Sequence, residues 1–427
     1  MKIIEGFKKV EPLFSRRSVG VAGGDESLEK SVRQIIDEVR RRGDAALYDF
    51  TQKYDGVKLT SLEVSNKQIE HAYREVDKKL IAALELAATR IVAYHQRQKK
   101  ALLKEDTKAK LGWLIKPLEH VGIYVPGGTA PLPSSLLMTA VPARVAGIKE
   151  VLLTTPPQKN GQISPVVLAA ARIAKVDCVF SVGGAQAIAA LAYGTKTIPA
   201  VDKIYGPGNI YVTLAKKLVY GMVGIDGLYG PSEVIIIADE TANPANIAAD
   251  LLAQAEHGSL ALSILITTSR KVADDVNLEI ERQLKDLSRR SIITEALEKR
   301  GFVAVVSTID EAIELANLYA PEHLCLAVKN ATSYIQKVRN AACLFAVEDS
   351  IEALVDYAAG PSHVLPTGGT ARFSSPLNIL DFVKLSNIVK MDAKDIKKLG
   401  NAVSTIAKAE GLDAHARAVE KRLKDIG

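Results

Sequence analysis

Residues 120–137 read HVGIYVPGGTAPLPSSLL: a short run rich in β-formers, a turn with two glycines and three prolines, then an apolar stretch of helical character. A strand that passes through a glycine turn into a helix is the repeating unit of a parallel sheet, because parallel neighbours need a crossover. The same alternation continues along the chain. EVLLTTP (150–156), DCVFSVG (177–183) and VDKIYG (201–206) precede a glycine-rich stretch, GMVGIDGLYG (221–230). EVIIIAD (233–239), LSILITT (262–268), FVAVVS (302–307) and LCLAV (324–328) follow it. These runs predict an α/β protein with two parallel-sheet units and a crossover near Gly221–Gly230.

The flanks have a different period. Leu28, Val32, Ile35, Ile36 and Val39 recur at helical spacing and Gly43 stops the pattern; a longer helical pattern runs from about Asn66 to Leu103. Beyond TGGTARFSSPLNILDF (367–382) the chain reads as helices again. The expected organisation is an N-terminal arm (1–24), a first unit with a helical N-terminal part (25–123 and 232–375), a second, nucleotide-binding unit (124–231) and a C-terminal helical segment (376–427).

With 427 residues, 48% of them hydrophobic, the chain can bury more than one core. Its 55 Lys+Arg against 49 Asp+Glu are interspersed, which gives no basic tract for nucleic acid. Cys178, Cys325 and Cys343 sit far apart in apolar runs, as reduced core thiols do. MKIIEGFKKVEPL lacks the apolar core of a signal peptide, and polar residues interrupt every candidate span, so a cytoplasmic protein without a membrane segment is expected.

Three strand-to-helix turns carry glycines: YVPGGTAPLPSS (124–135), SVGGAQAIAAL (181–191) and IYGPGNIYVTL (204–214). None is a GxGxxG, yet glycine there allows a phosphate to approach the backbone at a helix N-terminus. Tyr124, Gln186 and Asn209 are placed to bond a dinucleotide's ribose or phosphate, or simply to cap the loops. In LYAPEHL (318–324), Pro321 breaks a helical pattern and Glu322 and His323 follow, a carboxylate beside an imidazole at a helix-to-strand break, suited to general-base work or to a solvated turn.

A third signal is NPANIAADLLAQAEHG (243–258). Asn243 and Pro244 open a helix whose inward face is set by Ile247 and Leu251, and Gln254 falls within that face with His257 three residues on. Either Gln254 bonds a neighbouring backbone while His257 caps the last carbonyls, or the two serve as ligands with Asp356, Glu410 and His415, a nitrogen and oxygen set suited to a zinc-type ion. His71, His95, His120 and His363 are read as surface or structural residues. Neither GxSxG nor the Walker lysine occurs.

Taken together, YVPGGTAPLPSSLLMTAVPARVAGIKEV (124–151), GGAQAIAALAYGT (183–195), DKIYGPGNIYV (202–212), GPSEV (230–234), LLAQAEH (251–257), APEHL (320–324), DYAAGP, HVLPT and GTARFSSPL (356–361, 363–367 and 369–377), and AEGL and AHA (409–412 and 414–416) resemble the histidinol dehydrogenase family, in family order. The resemblance implies two incomplete Rossmann-like units arranged as in aldehyde dehydrogenases. It also implies a zinc- and NAD-dependent oxidation of L-histidinol to L-histidine through the aldehyde. By the same resemblance, Gln254, His257, Asp356 and His415 are zinc ligands, and Glu322 and His323 activate water and accept protons. Ser232 and Glu410 touch the substrate together with the ligands and the Glu322–His323 pair, and Tyr124, Gln186 and Asn209 touch NAD. A homodimer is implied in which the C-terminal segment completes the partner's site. Tyr229 stands where the family has a small residue, which narrows the pocket near Ser232. The runner-up is a related zinc/NAD alcohol dehydrogenase for another small polyol or a sulfonated diol, disfavoured by the presence of Glu410 and His415.

Overall fold

The computed structural model describes residues 1–15, 26–127, 131–347 and 350–426, so residues 16–24 of the expected arm and 128–130 of the first glycine turn lie outside it. The chain divides into two compact units, one of Met1–Lys99 with Leu118–Phe382, the other of Lys100–Pro117 with the chain from Val383 onward.

The larger unit contains two six-stranded sheets. In the first, the order is Lys2–Glu5, Phe302–Val305, Leu262–Thr267, Glu233–Ala238, His323–Ala327, Cys343–Phe345, and every pair is parallel. The central strands EVIIIA and LSILIT are buried at every position, the continuous apolar pattern of a sheet covered on both faces. In the second, the order is Glu63–Val64, Cys178–Ser181, Glu150–Thr155, His120–Tyr124, Lys203–Tyr205, Gly224–Ile225, with only the short Glu63–Val64 edge antiparallel. Setting aside the edge strands from the N-terminal region, each sheet has the order 3-2-1-4-5 of a dinucleotide fold, with its switch point between strands 1 and 4. The crossover from the second sheet to the first falls between Ile225 and Glu233, within and just beyond the glycine-rich stretch.

Packing assigns the N-terminal helices differently from the expected grouping. Val32, Ile35, Ile36 and Val39 of the Glu26–Arg42 helix share a core with Ile188 and Leu191 of the Gly184–Tyr193 helix, so residues 26–75 and the His120–Tyr124 strand go with the second sheet. The first residues are not a free arm: Lys2–Glu5 extends the first sheet. The long helical pattern from Asn66 is two helices, Asn66–Glu75 and Lys78–Leu102, separated where Val76 is extended and Asp77 accepts from the Lys79 and Leu80 N–H groups at 2.7 and 3.3 Å.

The C-terminal part of the smaller unit begins after residue 382, where the expected segment starts at 376. Val383–Val389 pairs antiparallel with Leu111–Pro117, and the helices Ala393–Ala409 and Asp413–Ile426 pack on each other. Asp392 caps the first of these helices through a capping box with Asp395. Among the described residues no helix is long and apolar enough to cross a membrane.

Candidate active site

Of the side chains singled out by the sequence, Asn209, Ser232, His257, Glu322, His323 and Asp356 line one cavity, where the carboxyl edge of the second sheet faces the amino edge of the first. A cavity of about 360 Å³ opens there, with Pro126 and Pro207–Asn209 on one side and Ser232, Glu322 and His323 on the other. Ser232 immediately precedes the Glu233–Ala238 strand, and His323 begins its neighbour, so these groups flank the switch point of the first sheet at the ends where strands start.

Glu322 and His323 are adjacent in sequence, yet both face the cavity, because the main chain of Glu233 holds them together. The Glu233 N–H donates to Glu322 Oε2 at 2.8 Å, and His323 Nδ1 lies 3.1 Å from the Glu233 carbonyl. A carbonyl only accepts, so Nδ1 carries the ring proton and Nε2 keeps its lone pair. Nε2 is buried and has no partner. Burial lowers the His323 pKa to about 3, which leaves the imidazole neutral at physiological pH. Upstream, Ala320 in the left-handed region ends the Ile309–Tyr319 helix, and Pro321 prevents its continuation.

The Pro244–Ala255 helix runs back along the first sheet from its Asn243 cap, where Oδ1 accepts from Ala245 N at 2.9 Å, and delivers its C-terminal end to the same edge. A helix C-terminus carries partial negative charge and favours a cation. Gln254 is completely buried, and neither its amide oxygen nor its nitrogen has a partner. That overturns the reading in which Gln254 bonds a neighbouring backbone. His257, one turn on, is exposed at the cavity.

Across from this helix end, Glu352 and Asp356 are four residues apart in the Glu352–Tyr357 helix and therefore on one face. Ligand atoms of His257, Glu352 and Asp356 all lie within 4.8 Å of one another. Burial raises Asp356 to about 6 and drives Glu322 and Glu352 well above the usual carboxylate range, with the Asp356 charge adding to both shifts and the Glu233 N–H drawing Glu322 partly back. Glu322, Glu352 and Asp356 gather at the cavity, and three residues before His257 the buried Gln254 amide has two unpartnered atoms, so the edge is short of positive charge. A divalent ion of the nitrogen- and oxygen-binding type fits it. Glu352 escaped the sequence reading; its spacing of four from Asp356 was the available signal.

His363 is not merely structural. It lines the cavity, with Nδ1 2.8 Å from the Asp356 carbonyl and Nε2 3.1 Å from Ser135 Oγ, and burial lowers its pKa to about 4. Tyr229 lines the same cavity as Ser232; its phenol bonds Asp226, and the buried Lys216 ammonium, itself paired with Asp226, stands 4.8 Å from its ring. By contrast, His95 is buried with Nδ1 on the Ile91 carbonyl, and His71 and His120 are exposed or half-buried beside carboxylates.

On the second sheet, Asn209 caps the Ile210–Val219 helix, its Oδ1 accepting from Tyr211 and Val212 N at 3.1 and 3.2 Å, while the residue also lines the cavity. The Tyr124 hydroxyl accepts from Gly184 N at 3.2 Å, and Gln186 is buried one turn into the same helix. Glu410 and His415 belong to the smaller unit, at the end of the Ala393–Ala409 helix and in the first turn of Asp413–Ile426, both exposed.

The edge of the first sheet carries a neutral imidazole with a free Nε2 beside a cluster of acids, and both sheets are of dinucleotide-fold order. This places the chain among α/β enzymes of the dehydrogenase class. The comparisons narrow that class: the histidinol dehydrogenase family profile matches residues 22–423. A histidinol dehydrogenase of Dehalococcoides mccartyi is 54% identical over 99% of this chain and 100% of its own length, and one from Geobacter metallireducens is 50% identical over 95% of each. The crystal structure of histidinol dehydrogenase from Elizabethkingia anophelis superposes with a TM-score of 0.94 at 38% identity, covering 100% of this chain and 98% of that one. The chain belongs to the histidinol dehydrogenase family, an oxidoreductase family, and the polyol or sulfonated-diol alternative finds no support among these relatives.

Proposed function

We propose that the protein oxidises L-histidinol to L-histidine in two NAD-linked steps through L-histidinaldehyde, at the end of histidine biosynthesis in the cytoplasm. The observation that carries this reading is the unpartnered His323 Nε2 beside a donor cluster that lacks positive charge. Gln254, His257 and Asp356 would hold zinc, with His415 of a second copy as the remaining ligand, and Glu352 stands within reach of the same ion. When bound, zinc supplies the charge that orients the substrate's imidazole and amine, and NAD supplies the hydride acceptor.

In the first step His323 Nε2 takes the hydroxyl proton as the carbinol carbon gives up hydride, and its Nδ1–H, held by the Glu233 carbonyl, keeps the ring in the competent tautomer. One water then adds to the aldehyde. Glu322, fixed through one oxygen by the Glu233 N–H, would in its ionised form leave the other to accept a proton from that water. After His323 has released the first proton to solvent, the hydrated aldehyde loses its second hydride to a second NAD as His323 accepts a proton once more, giving the carboxylate. Ser232 and Glu410 contact the substrate, and Tyr124, Gln186 and Asn209 contact NAD.

A homodimer accounts for the smaller unit, where Leu385, Val389 and Ile406 are 59%, 65% and 59% exposed, an apolar surface that a second copy would cover while supplying Glu410 and His415. Spectroscopic assay of NADH formation from L-histidinol by zinc-loaded protein tests the reading. His323→Ala, with zinc content unchanged, is expected to lower turnover by a factor of about 10² to 10⁴; unimpaired turnover in that variant would remove His323 as the base.

A further inference from the structure

Among the described residues, several buried side-chain polar atoms lack a hydrogen-bond partner. Both amide atoms of Gln254, Nε2 of His323 and Oε2 of Glu233 and Glu352 belong to the site just described; Thr51 Oγ1, Asp55 Oδ2 and Ser181 Oγ do not. Ser181 closes its strand at the carboxyl edge of the second sheet, two residues before the Gly183–Gly184 turn. Thr51 and Asp55 lie one turn apart on the Asp44–Asp55 helix, hence on one face.

The fold brings that face to the turn. Asp44, at the start of its helix, accepts from Thr197 Oγ1 at 2.7 Å and Thr197 N at 3.3 Å, just beyond the end of the Gly184–Tyr193 helix. The two helices pack against each other. Asp55, at the far end of its helix from Asp44, is close enough to the Tyr124 phenol at the start of Gly184–Tyr193 for its charge to act on it. There the Gly184 N–H is bonded to the Tyr124 hydroxyl. The Tyr124 phenol registers the nearby acid: its pKa is pushed up to about 12, chiefly by burial and in part by the Asp55 charge.

In a sheet of this order, the acid that reads the adenosine ribose ordinarily ends the second strand. Here that strand, Glu150–Thr155, runs into Pro156 and Pro157 and supplies no acid. The Pro156 ring fills the place itself: a Cβ at Gly127 or Gly183 would come within 2.4 Å of it. These two glycines thus receive a proline, and the carboxylate for a ribose must come from elsewhere.

We propose that Asp55 is that carboxylate: it accepts hydrogen bonds from the 2′- and 3′-hydroxyls of the adenosine ribose, and its charge turns away a 2′-phosphate, so that the site selects NAD over NADP. The inference rests on the NAD reading above. It moves a role normally carried by the sheet to a helix of the N-terminal region, and explains why a helix outside the sheet ends on an acid whose buried oxygen has no partner.

The test is equilibrium binding by calorimetry to the zinc-loaded, full-length protein, with NAD, NADP and NAD lacking the adenosine 2′-hydroxyl as the three probes. Wild type is expected to bind NAD at least about tenfold more tightly than either analogue, as loss of a charge-assisted hydrogen bond requires. Asp55→Asn is expected to lose about tenfold for NAD and to bind the 2′-deoxy analogue as wild type does. Wild type that binds NAD and its 2′-deoxy analogue equally well overturns the assignment, as does a folded Asp55→Asn protein with unchanged NAD affinity. Wild type that binds none of the three instead overturns the NAD reading on which the inference depends. The wild-type comparison needs no variant, so it stands even if Asp55→Asn fails to fold.

Discussion

The two sheets of the larger unit share one strand order and use opposite edges. The second sheet offers the ends of its strands: Tyr124 and Ser181 close strands, and Asn209 follows one. The first offers the beginnings: Ser232 and Glu322 stand just before strands and His323 opens one. Ligand sites in open parallel sheets ordinarily lie beyond the carboxyl ends at the switch point, and only the second sheet follows that rule. In the first, the helix between its central strands runs antiparallel to them and brings Gln254 and His257 back to the amino edge, where the chain enters Glu322–His323 from the preceding helix. Strand order locates the switch point; which edge serves depends on where the connecting helices end.

The contrast predicts that substitutions at the two edges fail differently. The largest effect is expected from stripping the metal: a chelator should abolish histidinol oxidation and zinc should restore it, with NAD binding unaltered, as calorimetry on the stripped protein would show. Retained turnover without metal would separate the first-sheet edge from cation chemistry. Next in size, Gln254→Ala should weaken zinc binding by about a hundredfold in a chelator competition, because a buried amide with no protein partner has no other task; Glu352→Gln should cost about tenfold in the same assay. Unchanged zinc affinity in both would break the assignment of these donors.

A smaller effect is expected at the second-sheet edge. Burial raises Asp55 to about 6 from the ordinary 3.8. An acid raised in the folded state contributes stability that is fully present below the unfolded pKa and lost as pH rises through the folded one. Asp55→Asn should therefore stabilise the cofactor-free protein at pH 7 by about 1 kcal/mol, a figure reduced for the solvent that reaches part of the carboxyl. The gain should vanish below about pH 4. Denaturant unfolding at both pH values checks this, and a destabilised variant at pH 7 would show that Asp55 already has a partner in the free protein.

Local signals were legible where one segment contains the whole signal. The strands read as apolar runs because both faces of each sheet are covered, and QAEH and PEHL mark the first-sheet edge because a polar residue in an apolar face and a proline at a helix end are visible without the fold. Distant pairing left no such trace. Leu111–Pro117 finds Val383–Val389 across some two-thirds of the chain, and nothing local announces that partner. The Glu26–Arg42 helix declares which face it buries but not which sheet it buries it against. His363 resembled an isolated histidine because its neighbours, Ser135 and the Asp356 carbonyl, come from a different segment and from a backbone atom. Pro156 is the subtlest case, since the glycines it occupies resemble a phosphate-binding turn until the ring is seen against them.

One base at the first-sheet edge is proposed to carry a four-electron oxidation. The NADH formed per molecule of L-histidinol consumed by the zinc-loaded protein at completion decides it. Two NADH with histidine as product are expected; one per substrate with the aldehyde accumulating, or none at all, would rule the four-electron reaction out.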